Sequence, residues 1–170
     1  MTAAVVGIDP SIAATGIAWP DGSLYTSRGP TKDGDRRLVK LRDDLYNGLL
    51  AQGLDDGRLL AVIEDLPQRA MSAGLTGRAQ GVVREVLHSL GVPYVTVVPS
   101  TLKKFATGSG VAKKPQMREA WLAELGGVDD PTVDDNGVDA YWLRQIGLAR
   151  LYSGAGRDLS MIVWTPWGLS

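Results

Sequence analysis

Hydrophobic positions along the chain alternate between short apolar runs and helical stripes. Val5, Val6 and Ile8 form a run without a polar face, the pattern of a strand buried on both sides. Pro10-Ser11 interrupts it, and Ala13–Ala18 forms a second run. Ser23–Arg28 reads as a third strand, with Pro20-Asp21-Gly22 as the hairpin turn. Gly34–Leu50 then places Leu38, Leu41, Leu45 and Leu49 at helical spacing, with Arg36, Arg37, Lys40 and Arg42 on a solvated face. Leu59–Ile63 is another buried strand. Leu66–Gly74 carries no periodicity and reads as a mobile loop. Gly77–Leu90 is helical, with Val82, Val83, Val86, Leu87 and Leu90 as its apolar stripe. Its small residues Ala79 and Gly81 allow close approach of the sheet or of a second subunit. Val92–Val98 is a further strand and Pro99–Phe105 a short helix with proline in its first turn. Lys113–Leu125 is a helix, and Asp134 caps a last one over Asp135–Tyr152.

This order predicts an α/β fold: a mixed five-stranded sheet, its first three strands antiparallel, with helices on both faces. Strand ends gather at one crevice in such sheets. At 170 residues the chain reads as one domain spanning 1–170. Residues 153–170, with Trp164 and Trp167, form a C-terminal extension too apolar for a disordered segment, expected to pack on the domain or across a dimer.

Composition removes several chemistries. There is no cysteine, so disulfides, a thiol nucleophile and a Cys-zinc site are excluded. The one histidine, His88, lies within a helical stripe, which leaves no multi-His metal site and argues against a Ser-His-Asp mechanism. A metal must therefore be held by oxygen, which points to Mg²⁺ or Mn²⁺. No apolar run approaches a membrane span, and the start lacks a signal-peptide core. A soluble, cytoplasmic protein is expected. The net charge of −1 conceals a partition: residues 65–118 carry two acids and eight bases, residues 119–139 seven acids and no base. A basic surface around a carboxylate cluster gives this pattern, because a filled metal site cancels part of the acidic block.

Asp9 ends the first strand. Alone, it is explained as well by capping as by ligand duty. Glu64 ends the fourth strand, which a crossover places beside the first. On the last helix Asp135 and Asp139 share a face, as do Asn136 and Asp139. Oxygen ligands converging without interleaved cations repel one another unless metal compensates. Two Mg²⁺ about 4 Å apart are the usual device for in-line phosphodiester hydrolysis. Lys103, Lys104, Lys113, Lys114 and Arg118 bracket the Gly-rich loop Thr107–Gly110 and read as phosphate contacts. Arg69 and Arg78 join them as nucleic-acid-binding candidates. The rest of the 129–139 acids, Asp129 and Asp130 above all, read as a solvated loop.

The motifs together resemble those of the RuvC-type Holliday junction resolvases of the RNase H-like nuclease superfamily. Gly7-Ile8-Asp9-Pro10-Ser11 with Thr15-Gly16 is similar to the first motif and Val62-Ile63-Glu64-Asp65 to the second. Gly77–Val82 is similar to the helix of the dimer region. Val98–Lys104 and Gly108–Gln116 are similar to the segment with two functional lysines, on which Lys103 and Lys114 fall. Asp135–Ala140 is similar to the last motif, and Asp139 fits its final aspartate. The resemblance implies an RNase H-like sheet and a Mg²⁺-dependent endonuclease, with Mn²⁺ as substitute and two ions per site. It implies a homodimer acting on branched DNA, leaving 5′-phosphate and 3′-hydroxyl ends without a nucleotide cofactor. Asp9, Glu64, Asp139 and Asp135 or Asn136 would hold metal, and Lys114 would assist catalysis. The family carries an acid or histidine three residues before the final aspartate; here Asn136 stands there, and the fourth ligand stays open. The family's aromatic wedge aligns near Pro67. Alternatives are an RNA-processing or flap nuclease of the RuvX/YqgF kind, a nucleotide-binding protein with an actin-like phosphate loop, and a catalytically silent DNA-binding protein.

Overall fold

Five strands and five helices build the fold, in a computed structural model that describes residues 4–53, 59–66 and 73–152. In chain order they are β1 (Ala4–Asp9), β2 (Ala14–Ala18), β3 (Leu24–Arg28), α1 (Arg36–Ala51), β4 (Leu59–Glu64), α2 (Ala73–Ser89), β5 (Tyr94–Val97), α3 (Pro99–Thr107), α4 (Lys114–Glu124) and α5 (Asp135–Leu151). The strands form one sheet in the order β3-β2-β1-β4-β5. β1 pairs antiparallel with β2, and β2 with β3, whereas β1–β4 and β4–β5 are parallel. The mixed sheet is the one the sequence pattern predicts.

Successive residues of a strand point to opposite faces, so Val5 and Val6 enter two different cores. On one face Val6, Ile8, Ile17, Ala61 and Ile63 meet α1 through Leu41, Leu45 and Leu49, and α2 through Ala79, Val83 and Leu87. On the other face Val5, Val62, Val95 and Val97 meet Leu102 of α3, Met117 and Trp121 of α4, and Val138, Trp142, Leu143 and Ile146 of α5. Both faces of the central strands are covered, which is why their sequences are continuously apolar.

α5 lies almost in backbone contact with the sheet. A Cβ on Gly7 would stand 2.1 Å from the Ala140 carbonyl oxygen, and one on Gly16 2.0 Å from that of Asn136. Further along the helix, a Cβ on Gly147 would stand 2.6 Å from Val5 Cγ1. Three glycines thus remove the side-chain layer that normally separates helix from sheet.

The sequence-based boundaries need small corrections. α2 begins at Ala73 rather than Gly77, so Ala73 and Gly74 are helical rather than loop; residues 67–72, with Pro67 and Arg69, lie outside the described residues. β5 starts at Tyr94, because Val92 donates its N–H to Leu87 O (2.8 Å) and closes the end of α2 instead. The tail from Ser153 also lies outside the described residues. Among the described residues no helix is long and apolar enough to cross a membrane.

Gly16→Ala is expected to cost about 3 kcal/mol, the upper end for overpacking, since the clash is with backbone and no rotamer relieves it. Thermal melting reads this as a drop of several degrees; an unchanged melting temperature would contradict the close contact.

Candidate active site

β1 and β4 are parallel neighbours in the register Ile8↔Ile63, so Asp9 and Glu64 emerge side by side at one sheet end. The Gly7 and Gly16 contacts seat the first turns of α5 above that end, which brings Asp139 to the same place. Local bonds fix each support. The Thr15 hydroxyl donates to Ser11 O (2.7 Å) and accepts from Ser11 N (3.1 Å), closing the turn that follows Asp9. Gln80 of α2, itself buried, donates from Nε2 to the Glu64 carbonyl (3.0 Å) and holds the end of β4.

The electrostatics are those of acids forced together. Asp9 is 6 % exposed. Burial pushes its carboxyl well above the usual carboxylate range, and the charges of Glu64 and Asp139 push it further. Asp9 and Glu64 share a carboxyl–carboxyl hydrogen bond, which raises Asp9 and opposes the rise at Glu64. Glu64 still sits above its ordinary value, chiefly through burial, against the charges of Lys103 and Lys114. Burial and then the Glu64 charge push Asp139 up to about 7.

Lys114 faces this cluster. Its Nζ lies 3.1 Å from Asp135 Oδ2. Burial works to lower its affinity for the proton, but the Asp135 hydrogen bond and the charges of Asp135, Asp139 and Asp9 raise it overall. Lys113 and Lys114 open α4, where cations oppose the helix dipole. A lysine placed against that local rule is held there by the acids in front of it.

The other candidates part company. Lys103, half-buried on α3, acts electrostatically on Glu64 and Asp139. Lys104 and Lys113 are exposed. Arg118 is committed elsewhere: it donates to Val133 O (2.8 Å), Asp129 Oδ1 (2.6 Å) and Asp130 O (3.2 Å), and lies over the Trp121 ring. These bonds tie down the 129–133 loop. Arg78 forms an exposed ion pair with Asp35 (3.3 Å). Arg69 falls outside the described residues. Asn136 and Asp135, equivalent on paper, face different neighbours: the Asn136 amide donates to Asp134 (3.3 Å), whereas Asp135 engages Lys114 and raises Asp139.

The candidate oxygen donors for a cation are the carboxylates of Asp9, Glu64, Asp139 and Asp135 and the side-chain carbonyl of Asn136, whose bond to Asp134 uses only its Nδ2. Among the described residues no three Asp, Glu or His side chains form a group that could hold an ion as it stands. These carboxyl groups are instead satisfied by one another and by Lys114.

No family model matches the chain. It is 30% identical over 142 residues to the crossover junction endodeoxyribonuclease RuvC of Synechococcus sp. (strain CC9902), covering 77% of this chain and 89% of the relative. The chain belongs to the RuvC family. RuvC of Prochlorococcus marinus (strain MIT 9303) is 27% identical over 155 residues, with 80% and 92% covered, and that of Anaplasma marginale (strain Florida) 22% over 168 residues, with 92% and 98% covered. In three dimensions the fold matches Thermus thermophilus RuvC in complex with Holliday junction substrate, with a TM-score of 0.66, 18% identity, and 89% of this chain and 95% of that chain covered. A second Thermus thermophilus RuvC structure gives a TM-score of 0.64 at 20% identity, covering 88% and 96%.

Sequence reasoning missed Gln80 and the environment of Asp134, described below. A buried glutamine inside an apolar helical stripe was the available signal for Gln80; nothing local announced the partners of Asp134.

The raised Asp139 sets a pH test on the metal-free protein. Between its ordinary 3.8 and about 7 the folded state keeps a proton that the unfolded state has lost. Stability therefore falls as pH rises through that window and stays reduced above it. Asp139→Asn removes the penalty, on the order of 2 kcal/mol after relaxation of the surroundings. In EDTA the variant should melt several degrees above the parent at pH 8 and level with it at pH 4; no gain at pH 8 would contradict the burial of this acid.

Proposed function

We propose that this RuvC-family chain is a Mg²⁺-dependent, structure-selective DNA endonuclease that resolves four-way junctions. The observation that carries the reading is the convergence of Asp9, Glu64 and Asp139 at one sheet end, opposite Lys103 and Lys114.

An all-oxygen donor set with more negative than positive charge suits a hard divalent cation. Asp9, Glu64, Asp139 and Asp135 or Asn136 would hold it, and Mn²⁺ would substitute for Mg²⁺. Bound there, a pair of such ions would supply the activation of a water and the charge neutralisation that phosphodiester hydrolysis needs. The side chains do the rest. The burial of Asp9, Glu64 and Asp139 strengthens the interaction of their charges with a cation held between them. Lys114 and Lys103, beside the acids, contact the scissile phosphate and offset its developing charge. Lys104 and Lys113, exposed on the same lysine-bearing segment, contact the neighbouring backbone phosphates. The products are 5′-phosphate and 3′-hydroxyl ends.

A homodimer supplies two such sites, so that opposing strands of a junction are cut symmetrically. The face that supports it lies on α1 and α2, away from the acids. Leu38, Val39, Gly81 and Val82 line an apolar depression there of about 440 Å³, rimmed by Arg42 and Glu85. Val39 is 56 % exposed, and Gly81 faces open space while Ala79 turns into the core.

Labelled four-way junction, Y-fork, duplex and hairpin RNA, incubated with and without Mg²⁺, test the substrate. Cutting is expected on the junction alone and only with Mg²⁺; preferential cutting of the hairpin RNA would favour an RNA-processing role. Asp9→Asn should abolish cleavage and leave junction binding on gels nearly intact. Val39→Glu, exposed in the single chain, should give a monomer in sedimentation velocity and lose paired incision; an unchanged dimer would place the interface elsewhere.

A further inference from the structure

Asp134 is held from four directions. Its Oδ1 accepts from Gly137 N (2.9 Å) and from the Thr26 hydroxyl (2.9 Å). Its Oδ2 accepts from Arg28 Nη2 (2.5 Å) and from Asn136 Nδ2 (3.3 Å). The Gly137 bond is an ordinary helix cap and would suffice for one. Thr26 and Arg28 are not needed for capping. They reach in from β3, the outermost strand, and bind the helix start across β2. Four donors from β3 and from α5 itself converge on this one carboxylate, which makes it an anchor between sheet and helix.

Its place in the chain gives the anchor leverage. Asp135 follows directly, and Asp139 lies just over one turn later. The Gly7 and Gly16 contacts stop α5 from sinking into the sheet. The burial of Val138 keeps its first turn down, and the bonds to β3 hold that turn from the side. Asn136 belongs to the same assembly, with its amide on Asp134 and its carbonyl oxygen against Gly16.

We propose that Asp134, clamped by Thr26 and Arg28 of β3, is the positioning residue that sets the first turn of α5, and with it Asp135 and Asp139, against Asp9 and Glu64 so that a divalent cation can be held. The inference rests on the metal reading above. Ligand sets work only when held to within about 0.5 Å, so a supporting contact governs affinity although it never touches the ion.

Mn²⁺ titration calorimetry on the full-length protein tests this with Arg28→Gln, Thr26→Val and Thr26→Ser. Arg28→Gln and Thr26→Val should weaken Mn²⁺ binding about tenfold. Thr26→Ser keeps the hydroxyl and should bind as the parent does. Junction cleavage by the two weakened variants should need more Mg²⁺ and regain the parental kcat at saturation. In the metal-free protein, the Gly137 amide signal should move in both variants and stay put in Thr26→Ser. Arg28→Gln removes only an exposed guanidinium, so it supplies the readout should Thr26→Val fold poorly. Parental Mn²⁺ affinity in Arg28→Gln, even with a lowered melting temperature, overturns the proposal and leaves the metal reading standing. A parent that binds no Mn²⁺ overturns the metal reading, and this proposal with it.

Discussion

The backbone-to-backbone seating of α5 on β1 and β2 is the contact on which the rest depends. A helix normally stands off a sheet by the thickness of the side chains packed between them. Gly7, Gly16 and Gly147 remove one layer, and the helix comes down until its carbonyl oxygens meet the strands. Only at that distance can an aspartate on the second turn of the helix and an aspartate at the strand end feel each other strongly. The apolar residues of α5, Val138, Trp142, Leu143 and Ile146, then supply the burial that keeps the helix in place. The glycines set the geometry, and the large side chains hold it.

That geometry costs stability. Asp9, Glu64 and Asp139 are all held above their ordinary proton affinity, and burial is the largest cause at each. A sequence selected for stability alone would put apolar or unlike-charged residues there. Lys114 relieves part of the strain while standing unfavourably at a helix start. Conflicts of this kind, with local preferences overruled in one small volume, are typical of functional sites.

Much of this was legible from pattern. Strand ends with a carboxylate, a capping Asp134 and continuous apolar strands rest on local chemistry, and the structure keeps all three. The partners of Arg118, the 129–133 loop carbonyls and Asp129, belong to a separate loop folded back against it, and charge alone does not reveal such an engagement. Asp135 and Asn136 could not be told apart by spacing, since both lie near Asp139 on a helical wheel. Their difference comes from the sheet: β3 claims Asp134, and Asn136 goes with it. The start of α2 was placed a turn late because Gly74 and Gly77 weaken the helical signal, although the helix runs through both.

The alternation of Val5 and Val6 into opposite cores has a consequence for how such a protein can diverge. The sheet is a partition, with the α1–α2 layer on one side and the α3–α5 layer on the other. Substitutions that drift in one layer meet the other only through the sheet, whose three central strands are paired on both edges. The outer surface of α1 and α2 is therefore free to change its associations while the lysines and carboxylates keep their places. Two parts of one small chain can evolve at separate tempos, insulated by five strands.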